Sequence, residues 1–191
     1  EKLLVLVDMN GTLICRSTKL LGQSQPLLTK DVRDRPLHYY LRPHAKELIT
    51  YLRNHSKVKF AFYTSMRESN AMPVVVELLA PSPEGGHGEL LYDREYVVRD
   101  AGGPRSWSTQ RNFEKVWAER SKVGFGFGRS NTIMIDDTPR KMKQFGDNLV
   151  LVEQFTEERV VTGRDDCLKK LAERLKDLLD TDCADIRERI R

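Results

Sequence analysis

The sequence predicts a Rossmann-like α/β fold, a central parallel sheet flanked by helices with a small β insertion. Three observations predict it. Leu3 to Val7 is an unbroken apolar run that ends in Asp8, Val58 to Tyr63 ends in Thr64-Ser65, and Thr132 to Ile135 ends in Asp136-Asp137. Short apolar runs bounded by turn chemistry read as strands buried on both faces. Helical patterns separate them, and strands alternating with helices pair in parallel through right-handed crossovers. Ligands of such sheets bind at the carboxyl ends of the strands. All three polar endings fall there.

The elements follow in order. After the first strand, Cys15 to Pro36 is polar with no sustained period and reads as a long loop, with room for one short strand, over the site end of the sheet. Arg42-Pro43 opens a helical pattern through Leu48, Ile49 and Leu52, Pro43 being suited to a first helical turn. Val58 to Tyr63 is the second strand, and Glu68 to Leu79 reads as a helix in which Pro73 must sit early or break it. Pro81 to Gly86 is a turn, Leu90 to Arg99 one or two extended segments, and Gly102-Gly103-Pro104 closes them. Ser108 to Arg120 reads as a helix with Phe113, Val116 and Trp117 on one face. Gly124 to Gly128 lacks the spacing and the lysine of a phosphate loop and reads as an ordinary loop. Thr132 to Ile135 and Asn148 to Val152 are the third and fourth strands. Asp165 to Leu179 carries Leu168, Leu171, Leu175, Leu178 and Leu179 at amphipathic-helix spacing, and the polar end from Asp182 to Arg191 reads as a solvated terminal helix. The organisation is one domain over 1–191, with an insertion at about 81–107 and C-terminal helices at about 164–191.

Composition bounds the function. With 191 residues, 39% hydrophobic and 31% charged, the chain reads as a soluble globular domain with a substantial core. No apolar run approaches the roughly 20 residues that span a bilayer, so no membrane partner is expected. No signal-peptide pattern is present, and a start at Glu1 suggests a trimmed domain. The net charge of +4 suits an anionic ligand, but Lys and Arg lie scattered among acids, so a nucleic-acid surface is not indicated. Cys15, Cys167 and Cys183 are odd in number and lack metal-ligand spacing, which fits a reducing intracellular compartment, nucleus or cytoplasm.

The chemistry lies in the strand endings. A carboxylate such as Asp8, held at a sheet edge, can accept a phosphoryl group with a hard cation beside it. A phosphate ester carries about two negative charges, which must be offset before a carboxylate can attack. Mg2+ held by one or two carboxylates does this, while a hydroxyl and a lysine bind the phosphoryl oxygens. Taken singly, several of the residues have plainer uses. Asp136-Asp137 would cap a helix before Thr138-Pro139, Thr64 would merely end a strand, and Lys115 has Arg111 and Lys122 nearby as rivals. His44 reads as structural, and Trp107 and Trp117 as packing in the core or over the insertion.

Together these pieces resemble a known family. Asp8-Met9-Asn10-Gly11-Thr12-Leu13 resembles the first motif of the haloacid-dehalogenase-like (HAD) phosphatases, which usually reads Asp-x-Asp-x-Thr. Arg42-Pro43-His44, Phe62-Tyr63-Thr64-Ser65 and Ile135-Asp136-Asp137-Thr138-Pro139 are similar to the branch of RNA polymerase II C-terminal-domain and NLI-interacting-factor-like phosphatases. The resemblance runs from about Leu3 to Leu179 and is weak from Pro81 to Arg111. It implies a protein serine/threonine phosphatase, a phosphoric monoester hydrolase whose partner is a phosphorylated protein segment. It implies Asp8 as nucleophile, Asn10 at the acid–base position, Thr64 on the phosphate and Lys115 neutralising it. Thr12, Ser65 and Arg94 would bind substrate. Mg2+ would sit on Asp8, the backbone carbonyl of Asn10 and Asp137, with Asp136 in support.

Asn10 departs from the family pattern. The family aspartate at this place protonates the leaving oxygen and later deprotonates the attacking water, whereas an amide cannot shuttle a proton. Loss of such help costs about 10²–10⁴-fold, so the chain as written is expected to be impaired or substrate-trapping. Intact neighbouring motifs favour an introduced substitution. A native phosphate-reading or scaffold protein of the same fold, and slow deamidation of Asn10-Gly11, are the competing accounts. A phosphatase of nucleic-acid ends or small metabolites is a further alternative.

Overall fold

A computed structural model of the chain describes residues 2–79 and 90–190, so the turn expected at Pro81 to Gly86 lies outside the described residues. The central sheet consists of β1 (Leu3–Val7), β5 (Val58–Tyr63), β6 (Leu91–Tyr92), β9 (Thr132–Asp136) and β10 (Leu149–Leu151), all parallel, in the order β10-β9-β1-β5-β6. Val7 is level with Phe62 on one side and Ile135 on the other. This register delivers Asp8, Tyr63-Thr64 and Asp136 to one edge at one height.

Strand alternation divides the core in two. Val5 and Val7 of β1 face helices α1 (Ala45–Asn54), α2 (Glu68–Leu78) and α6 (Cys167–Asp180) through Leu48, Val75 and Leu171. Leu4 and Leu6 face the other way, onto Phe113 and Val116 of α3 (Phe113–Ala118) and onto Met142 and Phe145. Each β1 side chain from Leu4 to Val7 is fully buried, as an unbroken apolar run requires. No helix among the described residues is long and apolar enough to cross a membrane.

Two local readings are corrected. The polar segment Cys15 to Pro36 is more than a loop with one short strand. It contributes to a three-stranded antiparallel sheet of β2 (Ile14–Ser17), β4 (Arg35–Leu41) and β3 (Leu28–Val32). β3 and the start of β4 are exposed or half-exposed, so polar side chains there mask the period, and the buried β2 is only four residues long. Ser108 to Arg120 is not one helix: β8 (Thr109–Arg111) pairs antiparallel with β7 (Val97–Arg99), and α3 begins afresh behind the side-chain cap of Asn112. The stretch Leu90 to Arg99, expected as one or two extended segments, holds two strands, β6 in the central sheet and β7 outside it.

Pro73 lies inside α2. A proline there removes the N–H that would bond the carbonyl four residues earlier, which is that of Ser69. Lys30 of β3 supplies a substitute, its Nζ donating to Ser69 O at 2.6 Å and to Asn70 Oδ1 at 3.2 Å. The same contact ties the antiparallel sheet to α2. A second tie is buried. Arg42, at the end of β4, donates Nε and Nη2 to Asp165 at 3.0 Å each and Nη1 to Thr12 O at 3.1 Å. It therefore links the turn after β1 to the segment that precedes α6.

Candidate active site

The site begins at the carboxyl end of β1. Asp8 is almost fully buried, and its backbone N–H bonds Ile135 O at 2.9 Å. The chain then turns tightly, with Leu13 and Ile14 N–H both donating to Met9 O. Gly11 is needed in this turn: its φ is +91°, and a Cβ there would lie 2.4 Å from Asp137 Oδ2. Phe155 N–H, donating to Gly11 O at 2.7 Å, braces the turn from behind.

Asp8, Asp136 and Asp137 bring carboxylate oxygens to within 4.8 Å of one another. Such a cluster suits a hard divalent cation, which takes oxygen ligands and keeps several waters. The three carboxylates are not equivalent. Both oxygens of Asp136 are engaged: Oδ2 accepts Arg111 Nε at 3.0 Å and Nη2 at 2.6 Å, and Oδ1 accepts Thr138 N–H at 2.9 Å. Burial alone would raise the Asp136 pKa, but Arg111 and then Lys141 outweigh it and hold the carboxyl below its ordinary range. Asp137 shows the reverse, pushed up to about 6 by burial and then by the charge of Asp8. A cation between Asp8 and Asp137 would relieve that repulsion, so the donor set fits Mg2+ with Asp136 as a support.

Two cations missing from the expected set hold the carboxylates. Arg111 is fully buried; its Nη2 donates to Asp8 Oδ1 at 2.6 Å as well as to Asp136, and its guanidinium lies 4.6 Å from the centre of the Tyr63 ring. Tyr63 is fixed in turn, its hydroxyl donating to Tyr96 O and accepting Asn112 N–H. Lys141 Nζ stands 3.4 Å from Asp8 Oδ2 and 3.5 Å from Asp136 Oδ1. Lys115, expected to neutralise phosphate, is directed elsewhere: its Nζ donates to Glu95 O at 2.9 Å, and it does not line the cleft. The break at Asn112 accounts for the difference. Arg111 ends β8 facing the site, while Lys115 lies a turn into α3. An asparagine suited to an N-cap directly before Phe113 was the available signal. For Lys141 the signal was the cation-rich stretch Arg140-Lys141-Met142-Lys143, two residues beyond the paired aspartates.

The other expected residues divide likewise. Thr64 ends β5, its N–H bonded to Tyr92 O at 2.9 Å, and with Ser65, Asn10 and Arg94 it lines a cleft of about 630 Å³ that also includes Asp8 and Lys141. Thr12 is buried beneath the turn, its hydroxyl without a hydrogen-bond partner among the described residues, and does not line this cleft. Asn10 Oδ1 accepts Arg16 Nε at 2.9 Å. Trp107, expected to pack, is 62% exposed at the cleft wall, whereas Trp117 is partly buried with its indole N–H on Thr132 Oγ1. His44 adopts φ 65° at the start of α1, away from the cleft.

Clustered carboxylates and a strand-end threonine at the carboxyl edge of a five-stranded parallel sheet define a HAD-like protein. A family model described as NLI interacting factor-like phosphatase matches residues 2–187, and the chain belongs to that family. Among solved structures, the chain resembles a variant of the fission yeast RNA polymerase II CTD phosphatase Fcp1 bound to beryllium fluoride. The TM-score is 0.67 at 13% identity, over 99% of this chain and 70% of that one. It also resembles Fcp1, described as an essential RNA polymerase II CTD phosphatase, with a TM-score of 0.55 at 14% identity over 95% of this chain and 55% of that one. At these identities the likeness is one of fold. No curated protein matches the chain.

Proposed function

We propose that this chain carries the machinery of a Mg2+-dependent phosphoserine/phosphothreonine protein phosphatase, working through an aspartyl-phosphate on Asp8 and slowed by Asn10. The observation that carries this reading is the placement of Asp8. One of its oxygens is fixed by Arg111, the other faces Lys141, and Asp137 lies beside it. Arg111 holds the carboxylate in one orientation while leaving Oδ2 toward the cleft. That oxygen attacks phosphorus, the ester P–O bond breaks, and the serine or threonine oxygen leaves. Water then cleaves the acyl phosphate, releasing inorganic phosphate and restoring Asp8. Thr64 and Lys141 bind phosphoryl oxygens as negative charge spreads over them. A cation held by Asp8, Asp137 and the Asn10 carbonyl would supply further charge neutralisation.

The leaving oxygen needs a proton, and Asn10 cannot transfer one. Its bond to Arg16 favours a second reading, a phosphate-reading protein without turnover, because the side chain is already committed as an acceptor. Hydrolysis of a phosphoserine peptide with and without Mg2+ separates the two. The chain as given should turn over slowly and Asp8→Asn not at all. Equal rates for the two proteins would remove the catalytic reading and leave recognition alone.

A further inference from the structure

The cleft holds more positive charge than one phosphoryl group uses. Among the described residues, Arg16, Arg33, Arg67, Arg94 and Lys141 line it together with the carboxylates Asp8 and Asp31, while Asp136 and Asp137 stand beside Asp8. Arg16 is bonded to Asn10, and Lys141 faces Asp8 and Asp136. Arg33, Arg67 and Arg94 are exposed and form no ion pair or side-chain hydrogen bond with the described residues. Unpaired arginines of one sign around a cleft attract anions, and their planar forks match phosphate oxygens bidentately.

Arg33 is held at the rim by an uncommon backbone. In the turn between β3 and β4, Arg33 and Asp34 both have positive φ, 53° and 60°. Two-residue hairpin turns of this kind favour Asn and Gly, because other side chains are strained there. An arginine in that place gives up turn stability and presents a guanidinium to the cleft. Arg67 faces it from another element, at the residue preceding α2. The cleft also shares Val32 and Arg33 with a depression of about 450 Å³ that includes Arg35. On its other side it shares Arg94 and Trp107 with one of about 410 Å³ that includes Arg99. The two depressions thus adjoin the cleft on opposite sides, each with a further arginine.

We infer that Arg33 and Arg67 form a second anion subsite, for a second phosphate on the same extended polypeptide whose first phosphate is presented to Asp8. The ligand class is a multiply phosphorylated protein segment. This inference rests on the phosphopeptide reading of the Asp8 site and adds a requirement that the reading alone does not make.

Fluorescence anisotropy of the chain with Mg2+ tests it. The probes are one peptide in unphosphorylated, singly and doubly phosphorylated forms, the last at several spacings, and a 5′-phosphorylated oligoribonucleotide. The best doubly phosphorylated peptide should bind about tenfold tighter than the single one. Arg33→Asn, which relaxes the turn, combined with Arg67→Gln, should erase that gain and leave the singly phosphorylated affinity unchanged. Equal affinity for the two phosphopeptides, or a gain that survives both substitutions, overturns the second subsite alone. If neither phosphopeptide binds better than the unphosphorylated one, the phosphopeptide reading falls with it. Tighter binding of the oligoribonucleotide than of any peptide assigns the groove to nucleic acid and also overturns the inference.

Discussion

Arg16 Nε donates to Asn10 Oδ1 at 2.9 Å. Arginine offers no acceptor, so Asn10 must turn its oxygen to Arg16 and its amide nitrogen away. Position 10, to which we assign the acid–base place, is thus built around an acceptor that an adjacent cation holds.

An aspartate at position 10 would meet that cation as an ion pair, which lowers a carboxyl pKa. A general acid works best with a pKa near the working pH. Asn10→Asp alone should therefore gain only part of the ~10²–10⁴-fold that general acid–base catalysis supplies. Adding Arg16→Ser should raise activity further and move the pH optimum upward. Profiles of aryl phosphate hydrolysis against pH measure both, and superimposable profiles for the two variants would refute the role given to Arg16.

Arg111 and Lys115 make opposite predictions. Arg111 is the buried partner of Asp8 and Asp136, and removing one member of such a pair leaves an unpaired buried charge. Arg111→Ala should cost about 3–5 kcal/mol of folding stability. Lys115→Ala, losing only a bond to Glu95 O at the surface, should stay within about 0.5 kcal/mol. Urea unfolding of both variants decides, and a larger loss at Lys115 would restore it as the key cation.

The Arg42–Asp165 pair predicts an acid limb in stability. Burial pushes the Asp165 pKa up, but hydrogen bonds from Arg42 and Arg159 hold it below the ordinary 3.8. A carboxyl whose folded pKa is depressed stabilises the fold above its unfolded pKa and loses that contribution as pH falls through the folded value. Stability should therefore fall below about pH 4 in the parent. Asp165→Asn should be less stable at pH 7 and show a shallower decline between pH 4 and 2. Unfolding midpoints across that range test it; parallel declines would mean that other carboxylates dominate.

The legible parts of this protein were those written in contiguous residues. The apolar runs of β1, β5 and β9, each closed by polar side chains, identified the parallel sheet, its functional edge and the acids Asp8, Asp136 and Asp137, because burial on both faces leaves an unbroken pattern. Strands β2 to β4 were not legible: β3 and the start of β4 are exposed or half-exposed and carry polar side chains with no net period, and the buried β2 is only four residues long with Arg16 and Ser17 in it. Nor was the cation set. Which of Arg111, Lys115 and Lys141 reaches Asp8 depends on where β8 ends and how the segment after β9 folds back, and those are matters of tertiary packing. The sheet and the carboxylates that end its strands are written in local order, because hydrophobic burial acts on runs of neighbours. Only the tertiary structure decided which cations hold those carboxylates and that Arg16 grips Asn10, because charge pairing acts between residues that chain order does not bring together.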